Sequence, residues 1–245
     1  MEHKLAAVIL AAGKGTRMKS DRAKVLHEAC GRPLAYFPIR AALALEVSPA
    51  VVVIGHQGDA VRAALSAHFP GAPLRFAVQA EQLGTGHAVQ CAKAALQDSG
   101  VGGKSAVLIL AGDTPLLREE TLQRLAAAYR AAGSPLALVS VRPRDATGYG
   151  RIVRDAAGAI QRVVEEKDAT DTERKIGEAN ASIYLCEAEF LFRALAALSP
   201  RNAQGELYLT DIVAAAAQLA REGKAKPPVS IEAPEDDVAG VNDRA

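Results

Sequence analysis

The feature that most constrains the fold is an unbroken apolar run from Leu5 to Ala12, which stops at Gly13. The run is too short for the core of a freestanding helix, so we expect a strand buried on both faces. Glycines at positions 13 and 15 allow the next loop to turn backbone N–H groups inward. A buried strand that ends in such a loop predicts a phosphate site when cations are close by. The nearby cations are Lys14, Arg17, Lys19, Arg22 and Lys24.

Two familiar phosphate loops do not describe this stretch. The Walker pattern Gly-x-x-x-x-Gly-Lys-Ser/Thr is absent, and the dinucleotide-binding pattern needs a third glycine where Met18 stands. Taken alone, the loop is therefore either another kind of phosphate site or a solvated basic turn.

Composition narrows the class of protein. The 245 residues are enough for one large α/β domain. The chain is 49% hydrophobic and 23% charged, which excludes disordered and fibrous proteins, and its net charge of +1 argues against nucleic acid and anionic membrane as partners. Cys30, Cys91 and Cys186 have no metal-binding or redox spacing, so we expect free, mostly buried thiols and a cytoplasmic protein.

Apolar runs and helical periodicity alternate along the first part of the chain. Strands are predicted near 51–54, 75–78, 105–111 and 136–141, with helices between them, and this alternation predicts a parallel sheet with helices on both faces. Pro38 should kink its helix or move the start of the helix towards Phe37. We expect helix caps at Asp59, at Thr85 before a helix over 88–96, and at Thr210 before one over 211–222.

The pattern changes after residue 147. A hairpin is predicted over 152–165, a strand over 178–185, a helix over 187–198 and a last strand over 227–232. The fold class is therefore α/β, with a Rossmann-like, mixed but mostly parallel sheet. The charged segment 165–168 is predicted to be either a mobile rim over the site or a solvated loop.

Asp113 is the best candidate for a metal ligand. It stands one step past the most hydrophobic strand, where an open parallel sheet binds its ligands. One carboxylate opposite a phosphate loop suits Mg²⁺, which keeps several waters and needs few protein ligands. The alternative is that Asp113 caps the helix predicted over 118–132.

Seven ordered blocks resemble the sugar-phosphate nucleotidyltransferases, over essentially the whole chain. The later blocks resemble in particular the N-terminal uridyltransferase domains of the bacterial bifunctional enzymes that make UDP-N-acetylglucosamine. The blocks are 11–18 with 24–26, 79–88, 112–116, 147–152, 165–170, 202–206 and 240–242.

The resemblance implies a fold, an activity and a set of site residues. The fold is that of the nucleotide-diphospho-sugar transferases, as one domain with a nucleotide-binding half (1–142) and a sugar-binding half (143–245). The activity is Mg²⁺-dependent joining of UTP and N-acetylglucosamine 1-phosphate, a step towards cell-wall precursors. The implied nucleotide residues are Leu10, Ala11, Ala12 and Gly13, with Arg17 and Lys24 on the phosphates, Gln79, Gly84 and Thr85 on uracil, and Ala111, Gly112 and Asp113 by the ribose and metal. The implied metal ligands are Asp113 and Asn242, and the implied sugar residues are Gly150, Glu165 and Asn180.

The residue types agree with that chemistry. Joining two polyanions with loss of pyrophosphate needs positioning and charge neutralisation more than acid–base work. Arg17, Lys24 and Asp113 are the candidate catalytic residues on this view.

Three departures from the family pattern matter. Ser182 stands where the family usually has glycine, and Pro38 falls in a helix that the family usually builds without proline. The bifunctional members continue into a left-handed β-helix that carries an acetyltransferase, whereas this sequence stops just after Asn242. We therefore expect neither acetyltransfer nor the trimer which that β-helix organises, and the sequence requires no oligomer. Rival functions are transfer to another sugar 1-phosphate, use of dTTP, or a non-catalytic sugar-nucleotide-binding subunit.

Overall fold

The structure is a computed structural model that describes residues 4–13 and 15–243, and one nine-stranded sheet organises them. The strands are β1 (Leu5–Ala11), β2 (Glu28–Ala29), β3 (Arg32–Pro33), β4 (Ala50–Ile54), β5 (Leu74–Val78), β6 (Ala106–Ala111), β7 (Leu136–Val141), β8 (Arg151–Arg154), β9 (Ile160–Val164), β10 (Ala179–Glu187) and β11 (Val229–Glu232). The helices are α1 (Tyr36–Leu43), α2 (Gly58–His68), α3 (Thr85–Asp98), α4 (Glu119–Ala132), α5 (Asp171–Arg174), α6 (Ala188–Ala196), α7 (Asp211–Arg221) and α8 (Glu235–Val238), with short 3₁₀ turns at Thr16–Met18 and Lys24–Leu26.

The predicted first strand lies inside the sheet, as its apolar run indicated. The strand order is β11-β7-β10-β6-β1-β4-β5, and β1 pairs in parallel with both β4 and β6. Its residues 6–9 have no exposed surface. Because β10 runs antiparallel between β6 and β7, and the β8–β9 hairpin attaches to it, the sheet is mixed but mostly parallel, as predicted.

Alternate residues of β1 serve two hydrophobic layers. Ala7 and Ile9 pack in one core with α1, α2 and α4, and Ala6 and Val8 pack in another with α3, α6 and α7. This two-sided burial explains why the strand has no polar alternation. The expectation of helices on both faces is confirmed.

The first turns of α1 and α2 differ from the sequence predictions. Pro38 lies in the first turn of α1, where a backbone N–H has no partner within the helix, so the helix begins at Tyr36 and accommodates the proline. The predicted cap at Asp59 is wrong, because α2 begins at Gly58 and Asp59 is already inside its first turn. An acidic residue in the first turn is still favourable, because the N-terminus of a helix carries partial positive charge.

The helices and the cysteines bear on the expected environment of the protein. Among residues 4–13 and 15–243, no helix has the length and apolar character needed to cross a bilayer. The three cysteines are free, as expected. Cys186 is buried and Cys91 half-buried, but Cys30 is exposed, so the expectation of mostly buried thiols is wrong for that residue.

The departure at Ser182 falls on an unusual backbone conformation. The register of β10 against β7 shifts between Asn180 and Tyr184, and Ser182 within that shift has φ +59°. Its N–H donates to Asn180 Oδ1 at 3.2 Å. A left-handed conformation costs an L-residue about 1–2 kcal/mol, and glycine avoids that cost.

Ser182→Gly should therefore stabilise the protein. We expect its free energy of unfolding to rise by about 0.5 kcal/mol, because relief of the left-handed strain exceeds the added freedom of the unfolded glycine chain. Urea unfolding measures the change. The matched control is Ser66→Gly on the exposed face of α2, which should lower stability by about 0.5 kcal/mol because glycine weakens a helix interior. Equal losses in both variants would contradict the strain argument.

Candidate functional site

The site forms where β1 and β6 end side by side in the sheet. Leu10 and Ala111 are register partners at those ends, and the N–H of Gly112 donates to the carbonyl oxygen of Leu10 at 2.9 Å. A Cβ on Gly112 would lie 2.7 Å from that oxygen, so only glycine permits the approach. The turn after β6 thus brings Asp113 against the loop that follows β1.

A cavity of about 220 Å³ opens at this edge of the sheet. The cations Arg17 and Lys24 and the carboxylate of Asp113 line it, so the cavity carries a net positive charge that favours polyanions. Its lining residues are Leu10, Gly13, Gly15, Arg17, Lys24, Val25, Asp113 and Asn242.

The ammonium of Lys24 connects the parts of this cavity. Its Nζ contacts Asp113 Oδ2 and donates to Asn242 Oδ1 at 2.9 Å, and Arg17 Nη2 donates to the same amide oxygen at 2.9 Å. The N–H of Val241 donates to the Asp113 carbonyl oxygen at 2.9 Å, which fixes the C-terminal segment beside the carboxylate. The alternative role of Asp113 as a helix cap is wrong, since Arg118 occupies the cap position of α4.

Backbone geometry in the basic loop supports the position of Lys24. Gly15 has φ +58°, and a Cβ there would lie 2.5 Å from Lys24 Cβ. The side chain of Gln57 accepts a hydrogen bond from Ala23 N at 2.8 Å and donates to the Asp21 carbonyl oxygen. Gln57 occupies the cap position of α2, but its side-chain amide forms hydrogen bonds with this loop and not with the helix. The sequence did not reveal this role.

The rest of the predicted phosphate loop includes an unobstructed glycine and residues that lie outside the described part of the chain. A Cβ on Gly13 would meet no atom within 4 Å, so the backbone there is accessible to a ligand. A Cβ on Gly55 would lie 2.8 Å from the Ala12 carbonyl oxygen and 3.0 Å from Gln82 Nε2, which places the 79–86 loop beside the end of β1. Lys14 and the side chain of Thr16 lie outside the described residues.

The donor set at Asp113 and Asn242 fits Mg²⁺. A carboxylate oxygen and an amide oxygen already share one cation, the Lys24 ammonium, and hard oxygen donors are what Mg²⁺ prefers. Within the described chain, no three His, Cys, Asp or Glu side chains gather to hold a metal. A bound Mg²⁺ would therefore need water and substrate phosphate oxygens to complete its shell.

The three predicted uracil residues lie together at the start of α3. Gln79 is 3% exposed, and its Nε2 donates to the Gly84 carbonyl oxygen at 3.0 Å. Gly84 has φ +104°, and a Cβ on it would lie 2.6 Å from the Leu207 carbonyl oxygen. The predicted cap at Thr85 is wrong: α3 begins at Thr85 itself, and its Oγ1 accepts from the N–H of Leu209 at 3.1 Å.

The three predicted sugar residues also converge. The N–H of Asn180 donates to the Gly150 carbonyl oxygen at 2.8 Å, and a Cβ on Gly150 would lie 3.5 Å from Glu165 Oε2. Asn180 is 3% exposed. Its Nδ2 donates to the Tyr184 hydroxyl at 2.6 Å, so this side chain bonds within the protein. Tyr184 thus joins the group, although the sequence indicates only a strand at this position.

The phosphate and sugar groups are separate sets of contacts. No hydrogen bond joins them directly in the part of the chain that the structure describes. Tyr149, the neighbour of Gly150, lies close enough to the charges of Glu235 and Asp113 that they add to the effect of burial and raise the pKa of its phenol.

Glu165 is held by a residue that the sequence analysis assigned elsewhere. Thr210 was expected to cap α7, but its side chain makes no cap bond, and its Oγ1 donates to Glu165 Oε1 at 2.8 Å. Burial raises the pKa of Glu165 and outweighs this hydrogen bond, and the like charges of Asp168, Asp211 and Glu206 raise it further.

The charged segment 165–168 is tied to its neighbours, so the simple solvated loop is wrong. Asp168 accepts from the N–H of Ala203 at 2.8 Å and from the Tyr208 hydroxyl at 3.0 Å. Glu166 pairs with Arg151, which is 3% exposed, at 2.9 Å. Arg151 stands directly before the apolar pair Ile152 and Val153 in β8, and this neighbourhood was the signal that could have indicated the buried ion pair. Whether the segment moves as a rim stays a prediction.

Glu165→Gln should stabilise the protein at neutral pH. A carboxyl whose pKa is raised on folding binds more protons when folded, so stability falls as pH rises from the ordinary value of 4.5 through the raised pKa. Above that window the buried charge lowers stability, and glutamine removes it while keeping an acceptor for Thr210. We expect a higher Tm than wild type at pH 7 and a difference that shrinks towards pH 4.

The control for this change is Glu189→Gln on α6. Glu189 is exposed and lies 4.0 Å from Arg193, so its loss should barely change the Tm. Calorimetry at several pH values measures both variants. A pH-independent difference for Glu165→Gln would contradict the burial argument.

Comparisons with known proteins identify relatives of this chain. The chain is 58% identical over 240 residues to the bifunctional protein GlmU of Anaeromyxobacter sp. (strain Fw109-5), an alignment that covers 98% of this chain and 47% of that protein. It is 50% identical over 244 residues to the bifunctional protein GlmU of Sorangium cellulosum (strain So ce56), covering 98% of this chain and 50% of the relative. The chain thus spans about half the length of the relatives it matches.

A solved structure and a family profile complete the comparison. A Bacillus anthracis crystal structure named as a glucose-1-phosphate thymidylyltransferase superposes with a TM-score of 0.73 at 19% identity, covering 97% of this chain and 88% of the other, which shows a shared nucleotidyltransferase fold. The profile of the MobA-like NTP transferase domain matches residues 7–221. The chain therefore belongs to the MobA-like NTP transferase domain family.

Proposed function

We propose that the chain is a uridyltransferase that joins UTP and N-acetylglucosamine 1-phosphate to give UDP-N-acetylglucosamine and pyrophosphate. The observation that carries the proposal is the Lys24 ammonium, held between Asp113 and Asn242 in a positively charged cavity at the end of β1. Identity of 50–58% to bifunctional proteins named GlmU supports the choice of this reaction within the family.

The reaction forms one P–O bond and breaks another. A phosphate oxygen of the sugar 1-phosphate attacks the α-phosphorus of UTP, and pyrophosphate leaves with the electron pair of the broken bond. Arg17 and Lys24 offset the charge on the triphosphate, and the open backbone at Gly13 offers N–H donors to it. No general base is needed, because the attacking oxygen is already ionised at neutral pH.

Lys24 would exchange partners during the reaction. Its ammonium is bound to Asp113 and Asn242, so it must turn towards the phosphates when the nucleotide enters. Asp113 and Asn242 would then hold Mg²⁺, which when bound supplies charge to the phosphate oxygens. Ion pairing thus holds the site in order before substrate arrives.

The substrate would lie across the two halves of the chain. Gln79, Gly84 and Thr85 would bind the base, and Gly150 with Glu165 would bind the amino sugar. We assign the first role to residues 1–142 and the second to residues 143–245. Free thiols at Cys30, Cys91 and Cys186 agree with placement in a reducing cytoplasm.

The first test is pyrophosphate release by the purified chain with Mg²⁺ and UTP. N-acetylglucosamine 1-phosphate, glucose 1-phosphate and galactose 1-phosphate are compared as acceptors, and we expect strong preference for the acetamido sugar. Preference for another sugar would place the error around Asn180 and Ser182. Binding of UDP-N-acetylglucosamine without any release would favour the non-catalytic binding subunit.

Asp113→Asn should reduce pyrophosphate release by at least about a hundredfold, because the site loses its one metal-binding carboxylate. The amide keeps the size of the side chain, so the fold should persist, as circular dichroism would show. Asp98→Asn at the exposed end of α3 is the matched control and should retain full activity. Wild-type turnover by folded Asp113→Asn would overturn the role of this residue.

A further inference from the structure

A chain of polar contacts runs from the predicted base-binding residue Gln79 into α3. Gln79 Nε2 lies 3.2 Å from His87 Nδ1, and His87 Nε2 lies 3.8 Å from Cys91 Sγ. His87 and Cys91 are four residues apart, so they share one face of the helix. Neither residue has a role in the reaction as described so far.

Two acceptors beside Nε2 favour one orientation of the Gln79 amide. Its Nε2 lies 3.0 Å from the Gly84 carbonyl oxygen, which can only accept, so a flipped amide would place two acceptors against each other. Two hydrogens are available on Nε2, and the second points to His87 Nδ1. Within residues 4–13 and 15–243, Oε1 has no hydrogen-bond partner.

The tautomer of His87 follows from burial. Nδ1 lies 3.2 Å from Gln79 Nε2 but also 3.1 Å from the carbonyl oxygen of Glu81, so it either accepts from the amide or donates to the carbonyl. Gln79 is 3% exposed, whereas the Glu81 carbonyl oxygen already accepts from the N–H of Leu83 at 3.0 Å. Because an unmet buried N–H costs more than the loss of a second donor to that carbonyl, Nδ1 accepts and the proton lies on Nε2, facing Cys91.

We propose that His87 is a positioning residue that makes Gln79 an acceptor-only reader of the base. With both amide hydrogens engaged, Gln79 offers its Oε1 alone to a ligand. Uracil and thymine carry a hydrogen on N3 that Oε1 can accept, whereas N3 of cytosine is itself an acceptor and would face Oε1 unfavourably. This inference rests on the proposed function, and it assigns the choice between uridine and cytidine nucleotides to a residue outside the base pocket.

The test compares UTP with CTP in wild type and three variants. His87→Leu fills much of the ring volume but has no acceptor, so only the Gly84 carbonyl still opposes a flip of the Gln79 amide. We expect the UTP-to-CTP ratio of kcat/KM to fall about tenfold, because loss of one hydrogen bond makes the flipped amide, which presents Nε2–H to cytosine N3, easier to reach. His87→Asn restores an acceptor near the position of Nδ1 and should recover most of the ratio. Cys91→Ala touches only the far ring nitrogen and should stay within about twofold of wild type.

Two further measurements test the inference on the wild-type protein without relying on turnover. Calorimetric binding of UDP and CDP gives the same ratio without the reaction, so wild type that binds UDP no better than CDP overturns the inference whatever its activity. ¹⁵N NMR of the wild-type ring should show the proton on Nε2, with the His87→Asn spectrum assigning the signal among the five histidines. A proton on Nδ1, or an unchanged ratio in folded His87→Leu, would also overturn it.

A wild-type protein that prefers UDP to CDP but releases no pyrophosphate would refute the proposed reaction and leave the role of His87 standing. The opposite result, full turnover with no dependence on His87, would leave the reaction standing and refute only the positioning role. The two proposals therefore fail separately.

Discussion

The contact of the Lys24 ammonium with Asp113 and Asn242 joins three segments that are distant in the sequence. One is the loop after β1, one is the turn after β6, and one is the C-terminal segment. Without this pairing, the oxygens of Asp113 and Asn242 would repel each other, and the Lys24 ammonium would repel the guanidinium of Arg17. The same charges are those that a polyanionic substrate and a divalent cation would meet, so order in the free site and affinity for ligands have one electrostatic origin.

The rest of the fold holds these charges at the edge of a rigid platform. β1 lies between β4 and β6 and is packed on both faces, so the loop that follows it begins from a fixed point. Glycine provides the closest approaches: Gly112 against Leu10 and Gly84 against Leu207 leave no space for a Cβ. These contacts bring loops from both halves of the chain to one edge of one sheet.

Much of the fold could be predicted because its main signals are local. The buried strands, the hairpin and the helices on both faces follow from apolar runs and periodicity, and resemblance indicated which loops converge. The caps at Asp59, Thr85 and Thr210 could not be predicted, because a hydroxyl or carboxylate near a helix start has the same local pattern whether it caps the helix or bonds elsewhere. Thr85 and Thr210 bond to Leu209 and Glu165, and those partners are set by tertiary packing.

The antiparallel strand β10 has a consequence for how the chain reaches its native state. It pairs with β6 and β7, and its register partner for Tyr184 is Ile109, which lies 75 positions earlier. Until β10 is in place, the edges of β6 and β7 that it covers are apolar and unpaired, which is the state most open to intermolecular strand pairing. Folding during synthesis would thus remain incomplete until the chain has passed residue 187, and such long-range pairing slows folding. The strand that unites the two halves is therefore also where a nascent chain would most need protection from aggregation.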